Sequence, residues 1–238
     1  MLKDKIVAIS GATGLLGPVV ARAFLDAGAT LALSGRSEEH LAALQRALTG
    51  AAERSMTSVV DLSDEHAARD WARLIVTKLG RVDVVIHLVG GYRGGTPIRE
   101  IATADWEFLR ASLVETTLNV VRAFAGPLSS NGWGRFLAVT SPRAQAPTGK
   151  SALYAMAKSA SDALVLALAS ELSGSGATAN LLMVDSIGDP EETPAGGASK
   201  KSPGKSTTPS LIASAMLFLC SEEAGTINGA RLPLTGRP

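Results

Sequence analysis

Two side chains suited to proton transfer stand four positions apart in the stretch TSPRAQAPTGKSALYAMAK. Tyr154 and Lys158 lie in a segment with helical apolar spacing, where positions i and i+4 project from the same face. An ammonium beside a phenol favours the phenolate, so it lowers the ordinary tyrosine pKa of about 10 toward values useful at neutral pH. Ser141 follows an apolar run and offers a hydroxyl to a carbonyl oxygen. The three residues form a candidate proton-transfer site.

A second stretch, SGATGLLG at residues 10–17, has three glycines at three-residue spacing after an apolar run. Glycine permits positive φ and close backbone approach, which a phosphate-binding turn uses. A helix beginning at Leu15 would aim its free N–H groups and positive dipole end at a pyrophosphate. The same spacing also arises by chance or as a plain strand-to-helix turn, so the turn alone leaves both interpretations open.

The elements that must position these residues follow from short apolar runs that alternate with longer amphipathic stretches. The predicted strands are residues 6–10, 30–34, 56–60, 82–89, 134–140, 177–184 and 230–234. The predicted helices are residues 15–27, 38–48, 64–79, 104–125, 151–172 and 209–221. This alternation predicts an α/β fold with one doubly wound parallel sheet of about seven strands and helices on both faces.

The ends of the predicted strands carry further candidates for nucleotide binding. Ligands of a doubly wound sheet bind beyond the carboxyl ends of its strands, where the glycine turn is expected. Arg36 follows the second strand, at a place where NAD sites usually have an acidic residue and a 2′-phosphate needs a guanidinium. It therefore predicts NADP(H) over NAD(H), with a solvated arginine as the alternative. Asp61 follows the third strand and would accept from an adenine amine or cap the helix near Asp64.

Together these residues resemble the short-chain dehydrogenase/reductase family, in particular its 3-oxoacyl-(acyl carrier protein) reductase-like members. The resemblance covers essentially the whole chain. It is carried by the glycine turn, Asp61-Leu62, Gly90-Gly91, Ser141, Tyr154-x-x-x-Lys158, Asn180 and the closing INGARLPLTG. Tyr-x-x-x-Lys alone is common, but its distance from both a strand-end serine and an N-terminal glycine turn is specific.

The resemblance implies a single Rossmann-type domain over residues 1–238 and an NADP(H)-dependent oxidoreductase acting on a small carbonyl or alcohol. Tyr154 would exchange the proton with the substrate oxygen, Ser141 would polarise that oxygen, and Lys158 would lower the tyrosine pKa and hold the nicotinamide ribose. The residues expected to bind the cofactor are Gly11, Thr13, Gly14, Leu16, Gly17, Arg36, Asp61, Leu62, Gly90, Tyr154, Lys158 and Ile187. Pairing of the helices at 104–125 and 151–172 implies a homodimer or homotetramer.

Departures from the family pattern leave a second function open. Many members have an asparagine seven residues after a tryptophan such as Trp106, where it supports a water that connects the lysine to solvent; here that count reaches Leu113. After the sixth strand Asp189 replaces a threonine, and its carboxylate would either recognise a cationic substrate or lie on an exposed loop. The missing asparagine motivates the alternative of a nucleotide-binding sensor or scaffold, which the intact Ser141, Tyr154 and Lys158 oppose.

The composition restricts the possible partners. There are 23 Lys plus Arg against 22 Asp plus Glu, which gives no reason to expect nucleic acid or an anionic membrane as partner. No apolar run reaches the roughly 18 residues of a spanning helix, so a cytoplasmic protein with a small-molecule substrate is expected.

Several remaining features have structural interpretations. Cys220 lies in an apolar run and predicts a buried thiol, and His87 predicts a hydrogen-bonded residue in a buried strand. No cluster of His, Cys and carboxylates has metal-ligand spacing, so no metal is expected. Residues 188–209 are rich in Pro, Gly, Ser, Thr and Lys and predict a mobile substrate lid.

Overall fold

The fold is described by a computed structural model over residues 2–48, 52–188 and 206–234. Its strands are β1 Ile6–Ser10, β2 Thr30–Gly35, β3 Ser55–Val59, β4 Val84–His87, β5 Gly134–Thr140, β6 Ala177–Val184, β7 Ser186–Ile187, β8 Ser206–Thr207 and β9 Arg231–Leu234. Seven of them form a parallel sheet in the order β3-β2-β1-β4-β5-β6-β9, and β7 pairs with β8 in a separate small sheet. The winding direction reverses between β1 and β4, which opens a crevice at the carboxyl edge of the sheet.

Helices cover both faces of this sheet, as the sequence predicts. They are α1 Gly17–Asp26, α2 Glu38–Ala47, α3 Glu65–Leu79, α4 Thr103–Leu109, α5 Thr116–Ser129, α6 Ala152–Glu171 and α7 Pro209–Leu219. Buried side chains of α1, α2 and α7 pack on one face of the sheet, and those of α3, α5 and α6 pack on the other. Strands between two helical layers have no solvated face, so β1, β2 and β4 are buried at nearly every position.

Two of the predicted helices differ clearly from the observed ones. The first helix begins at Gly17 rather than Leu15, because residues 11–17 form successive turns in which Gly14 N–H donates to Gly11 O and Gly17 N–H to Gly14 O, both at 3.1 Å. The single helix predicted over 104–125 is interrupted by a π-helical turn, Arg110–Glu115, between α4 and α5. A π-helical turn inserts one extra residue into a helix and changes the spacing of its apolar residues very little. The sequence therefore did not reveal this turn.

Most of the predicted lid, residues 189–205, lies outside the described residues. The residues on either side of this segment form regular structure. Ile187 in β7 pairs with Thr207 in β8, and the Thr208 hydroxyl accepts from Leu211 N–H and caps α7. The helix predicted over 209–221 begins at Pro209, as expected, and residues 206–208 at the end of the predicted lid form a short strand and the cap of this helix.

Among the described helices, α6 is long and apolar enough to cross a membrane by length and composition. Its buried residues, which include Ala155, Val165 and Leu168, pack into the core beside the sheet. A core helix of a globular domain meets the same criteria of length and hydropathy.

Candidate active site

The turn after β1 is shaped by two glycines that have no room for a side chain. Gly11 has a φ of +73°, and a Cβ there would lie 2.9 Å from the backbone nitrogen of Val89. A Cβ at Gly17 would lie 2.1 Å from the carbonyl oxygen of Ala12, so the first turn of α1 rests directly on the loop backbone. The N-cap residue Leu16 makes no side-chain cap, and no acidic residue lies in the first turn of α1. The positive dipole end of the helix therefore has no competing acidic side chain, which suits an anion, although the Gly17 N–H is already bonded to Gly14 O and Pro18 has no N–H.

The crevice beside this turn is a cleft of about 310 Å³. It is lined by residues that follow β1, β2, β3 and β4 and by the π-helical turn. Of the residues expected to bind the cofactor, it brings together Gly11, Thr13, Gly14, Arg36, Asp61, Leu62 and Gly90.

Five expected cofactor residues do not line this cleft. Leu16 and Gly17 are buried behind the turn, and Leu16 belongs to the hydrophobic core. Both residues pack within the protein and do not line the cleft, although the sequence suggested that they contact the cofactor. Tyr154 and Lys158 lie at the neighbouring end of β5, and half-buried Ile187 lies in β7.

The two interpretations of Asp61 are separated by the structure. Asp64, not Asp61, caps α3, since its carboxylate accepts from His66 N–H at 2.8 Å and from Ala67 N–H at 3.4 Å. Asp61 is exposed at the cleft and accepts from the hydroxyl and the N–H of Ser63 at 2.7 and 3.0 Å. These bonds, with a smaller contribution from the charge of Arg36, lower the pKa of the Asp61 carboxyl. The carboxylate is therefore held ionised at the cleft.

Asn119 supports this part of the cleft. It is buried in α5, and its Nδ2 donates to the carbonyl oxygens of Leu62 and Ser63 at 3.0 and 3.1 Å. The contact joins positions 57 residues apart, so no local pattern could have predicted it. Asn119 fixes the loop that carries Asp61.

Tyr154 lies where β5 and α6 meet, half-buried, and near enough to buried Ser141 for that hydroxyl to act on its pKa. The ring packs edge-on against Tyr92, with 5.0 Å between the centroids, and the Tyr92 side chain is itself 60% exposed. Burial raises the pKa of Tyr154; the Ser141 hydrogen bond opposes this rise, and the charge of Asp185 adds to it. The lowered pKa that the sequence suggested is therefore not found in this arrangement.

The reason lies in the contacts of Lys158. Its Nζ donates to the carbonyl oxygen of Val139 in β5 at 2.8 Å, so this ammonium N–H is directed at the strand. The residue is 9% exposed, and burial lowers the pKa of its ammonium to about 8, against the attraction of Asp162. Both side chains project from one face of α6, as predicted, but the ammonium is attached to the strand.

His87 has the structural role expected from the sequence. The Thr117 hydroxyl donates to Leu113 O at 2.6 Å, so it accepts from His87 Nε2–H at 3.2 Å, and Nδ1 accepts from Ser10 Oγ at 2.8 Å. Burial lowers the pKa of the imidazole to about 3, with a further contribution from the charge of Lys158. A neutral imidazole thus ties β1, β4 and α5 together.

Leu113 lies in the π-helical turn, at the position where the family asparagine would be. Its side chain is buried against Leu109 and Ala157, and its carbonyl oxygen faces the hydroxyls of Thr117 at 2.6 Å and Ser161 at 3.0 Å. Two hydroxyls occupy the lone pairs of this carbonyl, so neither the side chain nor the backbone of Leu113 is available to a relay water.

Other sequence expectations fall at the margin of the site. Asp185 is exposed near Tyr154, and Asp189 lies outside the described residues. Cys220 is a free buried thiol, as predicted, and burial raises its pKa to about 12. Within residues 2–48, 52–188 and 206–234, no group of three His, Cys, Asp or Glu side chains could hold a metal ion.

Comparison with known proteins gives matches along nearly the full chain. A family model described as enoyl-(acyl carrier protein) reductase matches residues 11–236. The meso-2,3-butanediol dehydrogenase of Serratia marcescens is 27% identical, over 98% of this chain and 94% of the relative.

Solved structures share the fold at lower identity. ElxO with NADP bound superimposes with a TM-score of 0.88 at 23% identity, covering 96% of each chain. The NAD⁺-bound xylitol dehydrogenase superimposes with a TM-score of 0.87 at 18% identity, covering 99% of each chain. At these identities the likeness concerns the fold.

Proposed function

The chain belongs to the short-chain dehydrogenase/reductase family, and from that premise we propose that it is an NADP(H)-dependent oxidoreductase acting on a small carbonyl or alcohol. One observation carries the proposal: Ser141 and Tyr154 lie beside each other at the carboxyl edge of the sheet that also holds the nucleotide cleft. Family members act at this edge because the loops beyond parallel strands converge there.

Each residue has a role that its surroundings support. When bound, the cofactor supplies or accepts the hydride. Tyr154 donates its phenolic proton to the carbonyl oxygen in reduction, and Ser141 donates a hydrogen bond to the same oxygen. Because burial keeps the Tyr154 pKa raised, the phenol holds its proton at neutral pH, which suits a donor. Lys158 holds the nicotinamide ribose with an N–H that Val139 does not use.

The nucleotide end of the site supports NADP(H) through Arg36. Its guanidinium lines the cleft near ionised Asp61. The guanidinium would pair with a 2′-phosphate, and the carboxylate would accept a hydrogen bond from the adenine amine. Replacing it, Arg36→Ala, should weaken NADPH binding by roughly 10- to 100-fold, the effect of one charged hydrogen bond, and leave NADH nearly unchanged. Fluorescence titration measures both, with Arg46→Ala as an exposed-arginine control on α2. Equal weakening of both cofactors by Arg36→Ala contradicts the phosphate contact.

The proton-transfer role is tested by the two tyrosines of the chain. Purified protein with NADPH and a panel of aldehydes and ketones should consume NADPH absorbance. Tyr154→Phe removes the proton donor and should lower the rate by about 10²–10⁴-fold while NADPH binding persists. Tyr92→Phe removes the hydroxyl of the ring packed against it and should lower the rate far less. Comparable losses in the two variants would refute the assignment.

A second candidate function follows from Leu113. Without an asparagine at the relay position the protein would serve as a nucleotide-binding sensor or scaffold with little turnover. NADPH binding without consumption over the whole panel would favour it, whereas a Tyr154-dependent rate favours the enzyme.

We further propose that the chain acts as a cytoplasmic homodimer or homotetramer, as the family resemblance implies. Light scattering on the purified protein gives the assembled mass, and a monomer at micromolar concentration contradicts this prediction.

A further inference from the structure

Behind the catalytic face of α6, away from the nucleotide cleft, lies a second and much smaller cavity. Its volume is about 10 Å³, the lower end of the roughly 10–15 Å³ that one buried water needs. Polar residues from three elements line it: His87, Thr117, Lys158, Ser161 and Asp162. Cavities of this size hold a water when polar groups surround it and stay dry when their walls are apolar.

One of these groups lacks a partner. Asp162 is 1% exposed and lies one helical turn beyond Lys158. Its Oδ2 accepts from Arg231 Nε at 2.9 Å, whereas Oδ1 has no hydrogen-bond partner among the described residues. A buried carboxylate oxygen without a donor is costly, so this atom requires a ligand that can donate.

The other walls supply the complementary groups. Lys158 Nζ has three N–H donors, of which Val139 O accepts one. The hydroxyls of Thr117 and Ser161 donate to backbone carbonyls and retain lone pairs that can accept. A single water would accept from Lys158, donate to Asp162 Oδ1 and donate to one of these hydroxyl oxygens. Three hydrogen bonds are the usual number for a buried water.

We propose that this cavity binds one ordered water that links the Lys158 ammonium to the Asp162 carboxylate, and that Asp162 is thereby a positioning residue for Lys158. The proposal rests on the function proposed above. The arrangement extends from Arg231 through Asp162 and the water to Lys158, and it leaves one ammonium N–H for the nicotinamide ribose.

This site lies on the side of Lys158 that faces the core, so its water would position the ammonium and would not connect it to solvent. The groups that face Lys158 are neutral His87 from β4, Asp162 from its own helix and, through Asp162, Arg231 from β9. Burial alone favours the neutral amine, and Asp162 opposes that effect. Removing the carboxylate should therefore make Lys158 lose its proton at a lower pH.

The first test is a crystal structure of the wild-type protein at high resolution. Density for a water within hydrogen-bond distance of both Asp162 Oδ1 and Lys158 Nζ is expected. An empty cavity overturns the proposal whether or not the protein turns over any substrate.

The second test compares Asp162→Asn with Asp83→Asn by measuring the NADPH dissociation constant from pH 6 to 9.5. Asp83 is the matched control, since it is also buried and accepts from an arginine Nε at 2.9 Å, but it lies at the opposite edge of the sheet. In wild type, affinity should weaken as pH rises through about 8, where Lys158 loses its charge. Asp162→Asn should move that midpoint down by about one pH unit or more, the effect of one nearby charge.

The outcomes separate the two proposals. An unmoved midpoint in Asp162→Asn, or an equal shift in Asp83→Asn, overturns the positioning role. Wild-type protein that binds no NADPH overturns the proposed function, and the crystal structure still decides whether the water is present.

Discussion

The nucleotide cleft and the cluster around Lys158 lie at the same edge of one sheet, but they are built differently. The cleft is formed by a turn whose glycines touch other backbone atoms, and its charged side chains, Arg36 and Asp61, are exposed. Around Lys158 the polar side chains are buried and bond to one another or to strand carbonyls. The cleft should therefore respond to changes of shape, and the cluster to changes of charge and pH.

The largest expected effect comes from adding a Cβ atom at the position where the first turn of α1 contacts the loop backbone beneath the cleft. Gly17→Ala places a Cβ 2.1 Å from Ala12 O, which forces a backbone shift and should cost roughly 1–3 kcal/mol or more of unfolding free energy. Gly14→Ala is the matched control in the same turn, where the nearest atom would be 3.4 Å away. Urea denaturation measures the unfolding free energy of both variants. Equal values would contradict the predicted clash at Gly17.

A pH-dependent effect is expected in the buried cluster. The folded-state pKa of His87 is about 3, below the ordinary value of 6.5, so the unfolded chain binds the proton more readily. Stability from this residue is complete above about pH 6.5 and is lost as pH falls toward 3, at up to about 1.4 kcal/mol per pH unit.

Denaturation between pH 6.5 and 5 checks this slope before most carboxylates titrate. His87→Gln should flatten it, while His66→Gln, at an exposed position in α3, should leave it unchanged. A slope that persists in His87→Gln would mean that another group carries the pH dependence.

The smallest effect is expected where a buried side chain supports the cleft. Asn119→Ala removes two hydrogen bonds to the loop that carries Asp61 and should weaken NADPH binding about threefold to tenfold, near 1 kcal/mol. Asn131→Ala also removes a bond to a backbone carbonyl, that of Val82, but at the far edge of the sheet. Its NADPH affinity should stay at the wild-type value, and a matching loss there would refute the local role of Asn119.

Much of this organisation was readable from the chain. The order of strands and helices, the glycine turn, and Tyr154 and Lys158 on one helix face follow from short-range spacing. The π-helical turn did not, since Leu109 before it, Leu113 within it and Leu128 after it are all buried, as in one continuous amphipathic helix. Helix and strand boundaries also shifted by one to four residues, because caps and turns depend on individual hydrogen bonds.

By itself the sequence determined the doubly wound sheet and the placement of Tyr154 and Lys158 on one helix face, because periodicity acts over a few positions. Tertiary structure alone decided which polar groups meet. It joined His87 to Thr117, Asn119 to the loop at Leu62, and Asp162 to Arg231, and it attached Lys158 to Val139 rather than to Tyr154. The physical reason is that a buried polar atom is stable only when it is hydrogen-bonded, and the partners in these four contacts are many residues away along the chain.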